Sequence, residues 1–287
     1  MSSTSCFSLQ RSDYIRWLLS WILLYSIVSD TVLLIRPSDR TSWMQRAFRS
    51  TAATAMSTSS SSSKAGALIF LHGLGDTPAG WSDLQNILSS LKPRLAQLEY
   101  VFPAAPTIPI SINGGARMPG WFDLYDWPIE VGSKDDPEGL QAGVAAVEQQ
   151  VQALNAKGIP SDKIVVGGFS QGGAIALLAA YQSKTTTTYA GCVGLSAWLT
   201  MPEKLQVSEE AKKTPLYWGH GTFDDKVVFA QQSFGVGKLR EQGVDVKDES
   251  FNMGHSSHPD EMATFADFVD QCIFAKEPAA TVGKSEL

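Results

Sequence analysis

The chain has 287 residues, 44% of them hydrophobic and 18% charged, which supports one sizeable buried core and excludes a chain disordered throughout. A formal net charge of −6 argues against a protein that tracks nucleic-acid phosphates. Cys6, Cys192 and Cys272 are odd in number and far apart. They give neither a disulfide framework nor a metal spacing, and suit a reducing compartment such as the cytoplasm.

Residues 1–63 differ in kind from the rest. They hold six arginines and three aspartates, a net of +3, so the remainder carries −9. An apolar run from Trp17 to Ile35, broken by serines, Asp30 and Thr31, is followed by a Ser-rich linker over Ser57–Ser63. Three targeting readings stand side by side: a membrane anchor over about residues 14–35, a signal peptide without an Ala-x-Ala-like site, and an organellar transit peptide over Thr41–Ser63. A start at Met56 is the fourth. The expected organisation is an extension over 1–63, a catalytic domain over 64–276 and a polar tail over 277–287.

From Ala67 onward, short apolar runs alternate with amphipathic stretches. Strands are predicted at Ala67–Leu71, Tyr100–Phe102, Ile164–Gly168, Gly191–Leu195, Leu216–Gly219 and Val244–Phe251. Helices are predicted at Trp81–Leu91, Gly139–Asn155, Gln171–Tyr181, Phe229–Glu241 and Pro259–Phe274. Leu140, Val144, Val147, Val151 and Leu154 recur at three- and four-residue steps, which gives the second helix a core face. Gly235 and Gly237 weaken the fourth. This alternation predicts an α/β domain with a mostly parallel sheet, and its chemistry belongs beyond the carboxyl ends of the strands.

Gly168-Phe169-Ser170-Gln171-Gly172-Gly173 stands there, between an apolar strand and an apolar helix. This is a G-x-S-x-G nucleophile elbow in its required setting. The sharp turn strains the serine backbone and demands small residues two places on either side, a need Gly168 and Gly172 meet. The competing reading is a Gly-rich turn in which Ser170 only caps the helix. A hydroxyl needs a base, and in this fold the partners follow in the order Ser, Asp or Glu, His. Of the four histidines, His72 precedes the elbow and His220 precedes the acid. His255, in a loop between the last strand and last helix, is favoured over His258, which stands beside Pro259. Asp224 and Asp225 both lie in the loop where the acid belongs, and spacing does not choose between them. The Gly-rich loop Leu71-His72-Gly73-Leu74-Gly75-Asp76 offers an oxyanion hole, with the N–H groups of Leu74 and Gln171 as donors and His72 orienting the loop.

These residues together resemble the acyl-protein thioesterase and lysophospholipase family of α/β-hydrolases, from about Ala67 to Phe274. The matching stretches are Phe70 to Thr77, Asn113-Gly114-Gly115, Trp121-Phe122-Asp123, Gly168 to Gly173, Leu195 to Leu199, His220 to Val227, and Met253 to Ser257. The resemblance implies the α/β-hydrolase fold, with helices on both faces of the sheet and no large lid domain. It also implies a triad of Ser170, Asp224 and His255, because the family's H-G-x-x-D pattern puts the acid at Asp224. One departure is Asp225, where the family commonly has proline. The resemblance further implies that Trp121, Trp198 and the loop Thr107–Met118, Met118 included, border the acyl channel, although both tryptophans suit plain core packing equally.

The implied chemistry is acyl transfer without metal or organic cofactor, on S-acylated proteins or lysophospholipids. A general short-chain carboxylesterase is the alternative within the enzyme class. A hydrolase fold kept as a small-molecule receptor is the alternative outside it, disfavoured because all three triad residues are present.

Overall fold

Gly66–Leu71 is apolar without a break and forms strand β1, every residue of it buried. In the computed structural model, which describes residues 64–182 and 187–275, β1 is one of six parallel strands. The others are β2 (Leu98–Val101), β5 (Ile164–Phe169), β6 (Gly191–Leu195), β7 (Leu216–Gly221) and β8 (Val246–Phe251), in spatial order β2-β1-β5-β6-β7-β8. β3 (Thr107–Ile110) and β4 (Ala116–Pro119) form a separate antiparallel pair. The readings made for residues 1–63 and 277–287, the Trp17–Ile35 run among them, lie outside the described residues. Among the described residues, no helix is long and apolar enough to cross a membrane.

Side-chain alternation along β1 sorts the core into two halves. Ala67, Ile69 and Leu71 face one apolar cluster, and Leu68 and Phe70 face the other. The first is covered by α2 (Pro137–Ala156), α3 (Gln171–Tyr181) and α4 (Ala230–Glu241), the second by α1 (Leu84–Leu91) and α5 (Pro259–Phe274). Both faces are therefore covered, the condition under which parallel strands become continuously apolar. α3 is buried at every position, so it shows no amphipathic stripe.

The chain leaves β1 towards β2 on one side and leaves β5 towards β6 on the other. Loops after two adjacent strands thus diverge, and a crevice opens at their carboxyl ends. Leu71 and Gly168 are in register, so the His72–Asp76 loop and the Ser170 elbow start side by side.

Several expectations are corrected, and the strand expected at Tyr100–Phe102 lies at Leu98–Val101. Thr107–Met118 is not a plain loop but a hairpin, pairing Ile108 with Met118 and Ile110 with Ala116. Pro109 and Pro119 hide it in the sequence, since proline is at home only on strands whose N–H is not needed. Gly114 and Gly115, at φ +66° and +80°, make its tip. The helix expected from Trp81 begins at Leu84, after a 3₁₀ turn over Pro78–Trp81. The last strand starts at Val246, not Val244. The doubted helix α4 does form, and Gly235 has a reason: a Cβ there would press into the Trp218 ring.

Under β7, Glu261 of α5 is fully buried and fills the space a side chain on Gly219 would occupy. Among the described residues, neither of its carboxyl oxygens has a well-formed hydrogen bond. Burial raises its pKa from 4.5 to about 8, which the His258 backbone N–H only partly offsets. The native state therefore holds a proton here that the unfolded chain releases. This contribution to stability is complete below pH 4.5 and is lost as pH rises through about 8. The loss is at most about 1.4 kcal/mol per pH unit. Glu261→Gln is expected to flatten the fall in Tm between pH 5 and 8.5, and parallel melting curves of the two proteins check this.

Candidate active site

The elbow follows from packing around Ser170. A Cβ on Gly168 would strike the Gly172 backbone, and one on Gly172 would strike the backbone of Leu71 and His72. Only glycine lets strand, turn and helix close this tightly. Ser170 is left at φ +55° and ψ −122°, a strained conformation for a non-glycine residue. Its N–H donates to Leu195 O at 2.8 Å and its carbonyl accepts from Ala174 N at 3.0 Å. Its side chain makes no capping bond to α3, so the helix-cap reading is not what the structure contains. Ser170 instead lines a cavity of about 260 Å³, together with His255.

His255 lies after β8, as the chain order requires. Its Nδ1 is 2.7 Å from Asp224 Oδ2, and its ring packs on Phe169 with centroids 4.7 Å apart. With Nδ1–H donated to the carboxylate, the lone pair sits on Nε2, on the opposite edge of the ring. No hydrogen bond yet joins Ser170 Oγ to His255 among the described residues, a common condition in sites without substrate.

Asp224 is buried and Asp225 exposed. Asp224 Oδ1 accepts from the N–H groups of Lys226 and Val227, both at 2.9 Å. Burial by itself would raise the Asp224 pKa. The hydrogen bond and charge of His255, together with the two backbone donors, outweigh it and hold the carboxyl below its ordinary value. Among the described residues, Asp225 meets only the Lys226 ammonium, at 3.2 Å. Of the two adjacent carboxylates, the structure joins Asp224 to His255.

The β1 loop is held from behind. His72 is buried, donates Nδ1–H to Gly73 O at 2.8 Å and accepts at Nε2 from Ala105 N at 3.2 Å. It therefore orients the loop, as read from the sequence. Among the described residues, no acceptor takes the N–H of Leu74 or that of Gln171. The Gln171 side chain, which sequence reasoning passed over, accepts from Trp121 N at 2.8 Å and donates to Phe122 O at 2.6 Å. It ties the segment after β4 to the start of α3.

The three residues expected to border the acyl channel divide. Trp198 lines the cavity. Trp121 does not: it is buried against His72, and its indole N–H donates to His72 O at 2.9 Å. Met118, half-buried on the hairpin, takes a contact from Asn113 Nδ2 at 3.5 Å and is likewise outside the lining. The apolar walls come instead from Leu74, Leu124, Trp127, Ile129 and Val227. Ile129 and Val227 meet in a bridge between distant segments, and no local pattern announces such a pairing. His258 stands away from the triad, accepting the Asp260 N–H at the start of α5. Cys192 is fully buried and burial pushes its thiol pKa up, which removes it as a nucleophile. Among the described residues, no three His, Cys, Asp or Glu side chains are grouped to hold a metal ion.

A parallel sheet with this elbow at its switch point defines an α/β-hydrolase, and the chain is a serine hydrolase. Residues 53–273 match the Phospholipase/Carboxylesterase family model, and the chain belongs to that family. Acyl-protein thioesterase 1 of Cryptococcus neoformans is 39% identical over 213 residues, covering 68% of this chain and 87% of that protein. Among solved structures, Arabidopsis thaliana SOBER1 is 30% identical with a TM-score of 0.67, covering 72% of this chain and 98% of its own. Zea mays acyl-protein thioesterase 2 is also 30% identical, with a TM-score of 0.61 and coverage of 72% and 94%.

Proposed function

We propose that this protein is an acyl-protein thioesterase that hydrolyses long-chain acyl thioesters on S-acylated proteins and also accepts lysophospholipids. One observation carries the reading: Ser170 and an Asp224-bound His255 open onto a single apolar-walled cavity. Acyl-protein thioesterase 1 of Cryptococcus neoformans carries the same activity in its name. In the proposed mechanism, His255 takes the Ser170 proton as Oγ attacks the acyl carbonyl. The N–H groups of Leu74 and Gln171 hold the oxyanion, helped by the N-terminal dipole of α3. The imidazolium then protonates the leaving thiolate or alkoxide, and water activated by His255 releases the fatty acid. Membrane association through residues 14–35 and a cytoplasmic site of action belong to this reading and rest on the sequence alone.

A second reading, a carboxylesterase for small esters, draws on the cavity size. At about 260 Å³ it lies below the roughly 300–1,000 Å³ usual for small-molecule sites. Full-length protein assayed on an S-palmitoylated peptide, a lysophospholipid and a short-chain aryl ester separates the two. The thioesterase reading expects the highest kcat/KM on the palmitoyl peptide. Turnover confined to the short ester would replace it with the carboxylesterase.

A further inference from the structure

His220 precedes the acid in the chain and takes no part in the proposed acyl transfer. Its position next to the site nevertheless calls for a reason. The ring is fully buried near the end of β7, and Phe229 packs edge-on against it at 6.1 Å. Nε2 lies 2.9 Å from Val227 O and 3.4 Å from Asp224 Oδ2. Nδ1 has no partner among the described residues. A carbonyl can only accept, so Nε2 carries the proton and the bare Nδ1 lone pair is buried. An unsatisfied buried polar atom is unfavourable, and this one persists beside the carboxylate that orients His255.

We propose that His220 is a positioning residue for the reaction, its Nε2–H shared between the Val227 carbonyl and the Asp224 carboxylate. The inference rests on the triad reading given above. The geometry is a reciprocal clasp: Val227 N donates to Asp224 Oδ1, while Val227 O receives the His220 proton. The Val227 backbone is thus gripped at both its N–H and its carbonyl, and the Asp224 side chain is held against it. Val227 also forms part of the cavity wall and bridges Ile129, so the clasp fixes acid and wall together. Burial first, and the proximity of His255 to a lesser degree, lower the His220 pKa, against the opposing pull of Val227 O and Asp224. A neutral ring donates to Asp224 without competing as a second cation. The titratable groups facing the ring are Asp224 and His255. Asp76 and Lys226 also line the cavity, and Asp225 is exposed beside Lys226.

The sign of the pH effect follows from the shared proton. Without the His220 donor, the Asp224 carboxylate keeps more of its charge for His255, which raises the pKa of the imidazolium. In full-length protein, H220F is expected to lower kcat about tenfold with KM changed less than about twofold, as misplacement of a catalytic group does. The acid limb of its kcat/KM profile should move to higher pH. H220Q, whose amide N–H reaches the place of Nε2, should restore most of kcat and return the limb to its wild-type position. If H220F does not fold, H220N against H220Q provides the same contrast, because the asparagine amide reaches only the place of Nδ1.

An acid limb that stays put or moves to lower pH, or paired variants that behave alike, would overturn the role of His220. Turnover surviving Ser170→Ala would instead bring down the triad reading beneath it. Turnover lost in Ser170→Ala but indifferent to His220 would remove the further inference alone.

Discussion

Ser170→Ala is expected to abolish turnover, by a factor of about 10⁵ or more, while leaving the melting temperature close to wild type. The size follows from the mechanism, since removing the nucleophile of a triad costs about as much as removing the whole triad. The intact fold follows from the structure. The Ser170 hydroxyl caps nothing, and its backbone bonds to Leu195 and Ala174 survive the change. Alanine meets the same strain at φ +55° that serine already meets. Stability should therefore change by no more than about 0.5 kcal/mol. Steady-state hydrolysis of the palmitoyl peptide, with a melting curve on the same sample, checks both halves.

Asp224→Asn has the next largest expected effect, a fall of about 10⁴ in kcat. Asp224 Oδ1 accepts from Lys226 and Val227 N–H, and the asparagine carbonyl will keep those two bonds. Its amide N–H₂ must then face His255 Nδ1. Donor meets donor unless the imidazole changes tautomer, and in the other tautomer Nε2 carries the proton and cannot receive one from Ser170. The position is occupied but the base is disabled. Asp225→Asn, by contrast, removes only an exposed contact to Lys226 at 3.2 Å. Pairs of that kind contribute about 0–1 kcal/mol, and kcat should stay within about twofold. Kinetics of the two variants side by side check the ranking. A larger loss at Asp225 would mean that the acid is the other carboxylate.

How far the sequence could be read depended on the range of each interaction. The strands β1, β5 and β6 were legible because burial on both faces leaves an unbroken apolar run. The elbow was legible because its steric demand falls on Gly168 and Gly172, two residues either side of Ser170. The triad order is also a property of the chain, and it pointed to His255. The choice between Asp224 and Asp225 was not local. It depends on which carboxylate the Lys226 and Val227 N–H groups capture, and only the resemblance supplied it beforehand. The cavity walls were least legible. Trp121 and Trp198 look alike as sequence, yet one closes on His72 and the other faces the cavity. Leu124, Ile129 and Val227 come together from separate segments without a shared pattern. The β3–β4 hairpin was hidden by its own prolines. His220, excluded as a base by its order in the chain, meets Asp224 only because β7 ends in a loop that folds back on it.

The most direct measurement is labelling of the full-length protein with a fluorophosphonate, followed by proteolysis and mass spectrometry to locate the adduct. An activated serine beside a competent histidine reacts with this probe, whereas an ordinary surface serine does not. The predicted result is one stoichiometric adduct on Ser170, lost in Ser170→Ala and strongly slowed in Asp224→Asn. An adduct on another residue, or none on folded protein, would contradict the assembly of Ser170, His255 and Asp224 into a working triad.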